Sequence, residues 1–199
     1  MASVLLVCLA SYLLGSIPNG LVFGKLIWHV DLREYGSHNI GATNAWRTLG
    51  KGPGFLIFLL DFLKGALSVG LAEVFAPLPL VMVIAGILAI VGHSCSLFLH
   101  FKGGKGVATG LGVIAMLMPL PSFIVFLVWL AIVMVTKYVS LGSCIAAAIV
   151  PILSYAWGYP GAYTAFGVLA AAFIIIRHKA NIVRLMNGTE NKIHAGHRD

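Results

Sequence analysis

The sequence has 199 residues, of which 60% are hydrophobic and only 10% are charged, and its mean hydropathy is +0.99. A soluble domain of this length carries roughly 25% charged residues. The composition therefore excludes a soluble globular protein and indicates an integral membrane protein, with a formal net charge of +7.

The first predicted element is an apolar segment over residues 3–23. No basic residue precedes it, and its apolar run is longer than the core of about 7–15 residues in a secretory signal peptide. We therefore interpret it as a retained transmembrane helix.

The loop at 31–54 is dense in Gly, Ser, Thr and Asn and contains the sequence GSHNIGATN. Free backbone amides, hydroxyls and side-chain amides are the groups that surround an anion, and the guanidinium of Arg47 suits phosphate. A solvated basic loop would explain Arg47 alone, but it explains the polar cluster poorly. We predict a phosphate-binding loop with contributions from Ser37, Asn39, Thr43 and Asn44.

The second apolar segment, 54–75, carries Asp61 and Lys64 at i, i+3 spacing. Charges inside a membrane are costly and usually paired, so we expect a structural ion pair that faces the helix bundle. His93, in the third segment at 80–99, is expected to be a hydrogen-bonded histidine near the membrane interface.

The sequence FKGGKGVATG at 101–110 predicts a second phosphate-binding loop, which opens a helix. Glycines allow close backbone approach, the helix N-terminus favours an anion, and Lys105 adds a mobile charge. It is not a Walker A loop, because Leu99 and Gly106 stand where Gly and Ser/Thr are required. The alternative is a tight turn with interfacial lysines.

The remaining segments are 107–120, 121–135, 140–157 and 161–176. The first two are short and could be one element kinked at the PLP sequence, but two nearby prolines that each remove an amide donor favour separate helices. Two polar islands follow, KYVSLGS at 137–143 and RHKANIVRL at 177–185. If the last helix continues, Arg177, Asn181 and Arg184 share one face.

We thus predict an all-α, polytopic membrane protein with seven transmembrane helices. With seven crossings, every Lys and Arg outside the second segment falls on one face: Lys25, Arg33, Arg47, Lys51, Lys102, Lys105, Lys137, Arg177, Lys179, Arg184, Lys192 and Arg198. The positive-inside rule then places the N-terminus outside and the C-terminus in the cytoplasm. Six segments would move the basic tail to the other face.

The four polar sequences GSHNIGATNAWRTLGK, FKGGKGVATGLG, YVSLGS and RHKANIVRL, with DFLKG in the second segment, closely resemble the bacterial membrane glycerol-3-phosphate acyltransferases that use acyl phosphate. The resemblance covers nearly the whole chain. It implies one transmembrane acyltransferase domain over residues 1–199, in the inner membrane with its site towards the cytoplasm. The implied reaction acylates the first hydroxyl of glycerol 3-phosphate, giving lysophosphatidic acid and phosphate in phospholipid synthesis.

The resemblance also implies the site residues. Lys105, Arg47 and Ser37 would be catalytic, and the substrate-binding set would be Asn39, Gly41, Thr43, Asn44, Gly103, Gly104, Gly106, Ser143, His178 and Asn181. We expect no cofactor, no metal and no nucleic-acid partner. The expected partners are the two substrates, membrane lipid and the soluble enzyme that makes acyl phosphate.

Two loops depart from the pattern of that family. Cys95 and Ser96 stand where an aromatic residue and a proline are usual, and His38 and Ile40 replace a small residue and a proline. These changes bear on the shape of the loops and not on the reaction. The three cysteines, Cys8, Cys95 and Cys144, lack CxxC spacing and are expected to be buried thiols.

Two other classes of protein are alternatives to an acyl-phosphate enzyme. A transporter of phosphorylated metabolites would also use interrupted helices, but the polar islands cluster on one face and no midplane site or repeat is evident. Acyl-CoA enzymes of the soluble or peripheral kind carry a His-x-x-x-x-Asp pair. Five positions after His29, His38, His93 and His100 come Glu34, Thr43, Phe98 and Lys105, so none of these four histidines begins such a pair.

Overall fold

The computed structural model describes residues 1–194, so Arg198 of the basic tail lies outside the described residues. Within this range the protein is all-helical, as predicted, with one 3-10 turn at Leu97–Leu99. The helices are α1 Ala2–Ser16, α2 Asn19–Trp28, α3 Ala42–Leu49, α4 Lys51–Phe75, α5 Pro79–Ser94, α6 Val107–Leu117, α7 Pro119–Thr136, α8 Val139–Ala156, α9 Gly161–Arg177 and α10 Lys179–Met186.

Several of these helices are suited to a membrane. In the described chain, four are long and apolar enough to span a bilayer, and the number rises to six if the bent pairs α1–α2 and α9–α10 each form one span. Helix α6 is apolar but has only 11 residues, about 16 Å at 1.5 Å per residue. The separation of the fourth and fifth segments is confirmed, because Met118 (φ −146°) ends α6 before α7 begins at Pro119. The count of seven crossings stays a prediction.

The first segment is not the single helix that the sequence predicted. It bends by 44° between α1 and α2, where Pro18 has no amide hydrogen to donate. The break is stabilised from α4: Nζ of Lys64 donates to the carbonyl oxygen of Ile17 at 2.9 Å. The predicted ion pair is present, with 3.0 Å between Nζ of Lys64 and Oδ1 of Asp61.

The helices pack closely around a main apolar core, with smaller apolar clusters beside it. Its most buried members include Val69 of α4, Val113 of α6, Val125 of α7 and Phe166 of α9. Helix α6 packs directly on α4 because Gly65 and Gly112 have no side chains; a Cβ at either position would meet the other helix's backbone. Small residues allow this approach between membrane helices. The packing fixes the glycine loop before α6 against the end of α5.

Candidate active site

One cavity gathers the predicted site residues from five parts of the chain. It lies among the loop before α3, the glycine loop 101–106, α8, the α9–α10 bend and the strap 188–194 that follows α10. Eleven of the thirteen predicted residues line it: Ser37, Asn39, Gly41, Thr43, Asn44, Arg47, Lys105, Gly106, Ser143, His178 and Asn181. Positions up to 144 residues apart in the sequence, Ser37 and Asn181, thus share one site.

Arg47 reaches the cavity from α3, an eight-residue helix with one strongly apolar face. Its Nη2 donates to the carbonyl oxygen of Asn191 in the strap at 2.7 Å. Its Nε is buried and has no hydrogen-bond partner among the described residues. Burial lowers the pKa of Arg47 from its ordinary value, but an arginine stays charged at any physiological pH. The guanidinium is therefore a cation with donor capacity left over for an anion.

Lys105 approaches from the glycine loop. Its Nζ donates to Oδ1 of Asn181 on α10 at 2.6 Å. Burial is the main cause that lowers the pKa of Lys105 to about 8, although the nearby carboxylate of Glu190 opposes this change. Like Arg47, Lys105 has a neutral hydrogen-bond acceptor and no ion pair among the described residues. Its charge is available to a ligand.

Glu190 organises this side of the cavity, and the sequence reasoning missed it. Its carboxylate accepts hydrogen bonds from Ser140 of α8 (2.8 Å), Asn181 of α10 (2.6 Å) and Arg184 of α10 (2.8 Å). Burial acts to raise the pKa of Glu190, and these three donors outweigh it, so the pKa lies below its ordinary value. Glu190 therefore ties the strap to α8 and α10. The available signal was an acidic residue in a tail rich in lysine and arginine.

The glycine loop is held from outside by α5 and α9. Backbone amides of Gly103 and Gly104 donate to the carbonyl oxygens of Ser94 and His93, both at 3.0 Å, and Nη2 of Arg177 donates to the carbonyl of Gly104 at 2.9 Å. Gly103 and Gly104 do not line the cavity, because they form the back of the loop. Arg177 leaves the shared face predicted for a continued helix, since α9 and α10 bend by 62°.

The loop before α3 is held from within by Asn44, which is 1% exposed. Its Nδ2 lies within 3.0 Å of three carbonyl oxygens, those of Leu32, Tyr35 and Asn39. Its Oδ1 accepts from the backbone amide of Ser37 at 2.9 Å. Asn44 thus lines the cavity, but its hydrogen bonds maintain the loop and present the Ser37 side chain.

Two further predicted residues have defined hydrogen-bond roles. Oγ of Ser143 donates to the carbonyl of Val139 at 2.8 Å and lies 3.3 Å from Nε1 of Trp129, which donates to it. Nδ1 of His178 is 2.8 Å from the carbonyl oxygen of Ile174. Because a carbonyl can only accept, Nδ1 carries the proton, and Nε2 of the neutral ring is an acceptor.

The departures from the family pattern also have structural roles. Oγ of Ser96 donates to the carbonyl of Ser16 at 2.6 Å, which seats the end of α5 on the end of α1. His38 lies in the left-handed region (φ 55°), and its Nδ1 is 2.9 Å from the carbonyl of Arg33. Both residues shape the loops without entering the cavity.

The other part of the cavity is apolar. Its walls come from α4, α6, α7, α8 and α9, with Phe58, Ile114, Phe126, Trp129 and Val150 among them. The volume is about 180 Å³, below the about 300–1,000 Å³ of typical small-molecule pockets. A cationic mouth joined to an apolar floor suits a molecule with an anionic head and an apolar tail. Within residues 1–194, no group of three or more His, Cys, Asp or Glu is placed to hold a metal ion.

The chain matches known proteins over nearly its full length. Residues 5–188 match the family model described as glycerol-3-phosphate acyltransferase. A glycerol-3-phosphate acyltransferase of Syntrophomonas wolfei is 46% identical, covering 96% of each chain. Glycerol-3-phosphate acyltransferase 2 of Moorella thermoacetica is 45% identical, covering 95% of this chain and 97% of the relative.

The fold is also that of a solved membrane enzyme. The crystal structure of PlsY (YgiH), an integral membrane glycerol 3-phosphate acyltransferase, in its glycerol 3-phosphate form, has a TM-score of 0.92 and 42% identity, covering 96% of both chains. Its lysophosphatidic acid form has a TM-score of 0.90 and 41% identity. This chain therefore belongs to the glycerol-3-phosphate acyltransferase family and is a membrane acyltransferase of the PlsY type, acting in phospholipid synthesis.

Proposed function

We propose that this protein transfers an acyl group from acyl phosphate to the sn-1 hydroxyl of glycerol 3-phosphate, releasing lysophosphatidic acid and inorganic phosphate. Lys105, Arg47 and Ser37 stabilise the charge of the reacting groups. The substrates are positioned by Asn39, Gly41, Thr43, Gly106, Ser143, His178 and Asn181. Asn44, Gly103 and Gly104 act indirectly, through the two loops that they hold in place.

The observation that carries this proposal is the pairing of Arg47 and Lys105. Both are cations at one cavity, and both donate to neutral oxygens, those of Asn191 and Asn181. The other described lysine and arginine side chains that are not exposed have carboxylate partners: Lys64 pairs with Asp61, and Arg184 with Glu190. A buried cation is stabilised by an opposite charge, so the two unneutralised groups suit the phosphates of two substrates.

The chemistry favours acyl phosphate as donor. Its carbonyl is already activated by a phosphate leaving group, so positioning and charge stabilisation supply the rate. Its small anionic head fits a glycine loop with one lysine, and its tail fits the apolar walls. A CoA donor would need room for a nucleotide and a pantetheine arm.

The proposal also covers the membrane topology and the cellular location of the protein. The single domain lies in the bacterial inner membrane with seven crossings, the N-terminus outside and the cavity mouth towards the cytoplasm, where it meets the soluble enzyme that makes acyl phosphate. The exposed Thr189 tests the orientation: a cysteine there should react with an impermeant maleimide only after the cells are permeabilised. Labelling of intact cells would overturn it.

The donor is tested by direct competition. Purified protein in detergent is given glycerol 3-phosphate with either acyl phosphate or acyl-CoA of the same chain length, and product is measured by mass spectrometry. We expect 1-acyl lysophosphatidic acid from acyl phosphate at a rate at least a hundredfold higher than from acyl-CoA. Equal rates would overturn the donor, and the 2-acyl isomer as the first product would overturn the position.

A further inference from the structure

Two polar side chains of the cavity have no role in the function described so far. Asp61 of α4 and His93 of α5 both line the cavity, and they are only 3% and 5% exposed. They lie on the helices that support the glycine loop. The question is what a carboxylate and an imidazole do in a site that receives phosphates.

Asp61 is held on one of its two oxygens. Its Oδ1 accepts from Nδ2 of Asn19 at 3.0 Å and lies 3.0 Å from Nζ of Lys64. Nδ1 of His93 lies 3.7 Å from the same oxygen, too far for a direct hydrogen bond. The hydrogen bonds found for Asp61 in the described chain leave Oδ2 able to accept another donor.

The sequence predicted a hydrogen-bonded histidine at position 93. Its Nδ1 is buried and has no hydrogen-bond partner among the described residues. An unsatisfied buried polar atom is costly, and the ion pair that seats α2 on α4 is complete without the imidazole. A hydroxyl group bound at this point would be able to donate its one hydrogen to Asp61 and accept a hydrogen bond from Nδ1–H of the imidazole, which removes that cost.

The charge of Asp61 selects the kind of group. A carboxylate repels phosphate, so the phosphates belong with Arg47 and Lys105. A carboxylate that Lys64 and Asn19 already stabilise is a weak base, and so it suits a hydroxyl that is bound and not deprotonated. We propose that Asp61 and His93 bind the secondary hydroxyl of glycerol 3-phosphate, the one that does not react. This inference rests on the substrate assigned in the proposed function.

The test compares two acceptors that differ only at this hydroxyl. 3-Hydroxypropyl phosphate keeps the phosphate and a primary hydroxyl but lacks the secondary one. With acyl phosphate as donor, the wild-type kcat/KM should be about tenfold to a hundredfold lower for this analogue, the range for a hydrogen bond to a charged group. In Asp61→Asn and His93→Asn, the ratio of kcat/KM for glycerol 3-phosphate to kcat/KM for the analogue should be no more than about three.

The matched control is Asp31→Asn, which removes a carboxylate that pairs with Lys25 and Arg33 outside the cavity and should keep the wild-type ratio. His93→Asn leaves the buried ion pair intact, and Asp61→Asn/Lys64→Met removes both charges together, so one informative variant remains if Asp61→Asn fails to fold. A wild-type ratio near one overturns the subsite by itself. The subsite is also overturned if the Asp61 and His93 variants turn over both acceptors more slowly but keep the wild-type ratio between them. Absence of turnover with acyl phosphate would instead overturn the proposed function.

Discussion

The two polar loops at the cavity mouth look alike in sequence but are maintained in opposite ways. The loop 36–44 is fixed from within, because Asn44 directs its amide to three carbonyls and its oxygen to the amide of Ser37. The glycine loop 101–106 has no such side chain. It is fixed from outside by the carbonyls of His93 and Ser94 and by Arg177.

The difference distinguishes residues whose hydrogen bonds hold a loop in place from residues whose side chains are left to contact the ligand. In the first loop, the side chains of Asn39 and Asn44 bond to the loop itself, and Ser37 is left for the ligand together with Arg47 of the adjoining helix α3. In the glycine loop, the backbone amides of Gly103 and Gly104 are used for docking on α5, and the side chain of Lys105 is left for the ligand. Substitutions at the ligand-contacting residues should therefore reduce activity. Substitutions at the loop-holding residues should reduce stability or displace the loop.

The largest effect is expected at Lys105. Lys105→Ala removes a cation that stabilises phosphate charge, and loss of one such group lowers kcat by about a hundredfold to a thousandfold. The melting temperature should stay near that of the wild type. Lys102→Ala is the matched control, since it removes an exposed lysine from the same loop. Near-normal turnover in Lys105→Ala would make the loop a turn and not a binding element.

The next effect tests how the glycine loop is docked. In Gly103→Ala the new Cβ would meet the carbonyl oxygen of His93, which is backbone and cannot move aside. The loop must shift, and a displacement of about 1 Å near a reaction centre costs about a hundredfold in rate. Gly52→Ala, where a Cβ has open space, should retain full activity. Equal activities of these two variants would show that the docking is dispensable.

A third prediction compares a ligand-contacting residue with a loop-holding residue of the first loop. Ser37→Ala should lower kcat/KM about tenfold to a hundredfold with little change in melting temperature. Asn44→Ala leaves several buried backbone groups unpaired, so it should lower the free energy of unfolding by about 2–3 kcal/mol and the melting temperature by about 4–12 °C. Activity assays and thermal unfolding in detergent measure both. The reverse pattern would break the distinction between the loops.

Short-range chemistry explains what the sequence could predict. The apolar runs of α4, α5, α7 and α8 follow from composition, and the separation of α6 from α7 follows from prolines. The Asp61–Lys64 pair follows from its i, i+3 spacing. The glycine loop and Arg47 stand out because phosphate chemistry requires their residue types.

Long-range contacts explain what it missed. Asn19 and the carbonyl of Ile17 lie 42 and 47 positions from the residues they contact, and no local periodicity indicates such pairs. The bend at His178 is not marked by a proline or glycine, so a continued helix was the natural expectation. Glu190 lies in a polar tail without helical or strand spacing, and only the fold shows that it joins α8 to α10.

The smallest predicted effect is a pH dependence that belongs to the glycine loop alone. Burial lowers the pKa of Lys105 from 10.5 to about 8. If its cation binds phosphate, kcat/KM is full below pH 8 and falls up to tenfold per unit as the pH rises above it.

The sign for stability is the opposite, which separates the two causes of a loss of activity. Between about pH 8 and 10.5 the unfolded chain binds a proton at Lys105 that the folded protein has released, so the free energy of unfolding rises with pH in this window. Activity falls while this contribution to stability grows, so the titration of Lys105 does not lower activity by unfolding the protein. We call this fall of kcat/KM above pH 8 the alkaline limb of the pH profile. Lys105→Arg, whose guanidinium stays charged, should move the limb to higher pH in the same kcat/KM assay. If kcat/KM of that variant falls over the same pH range as in the wild type, a group other than Lys105 causes the fall.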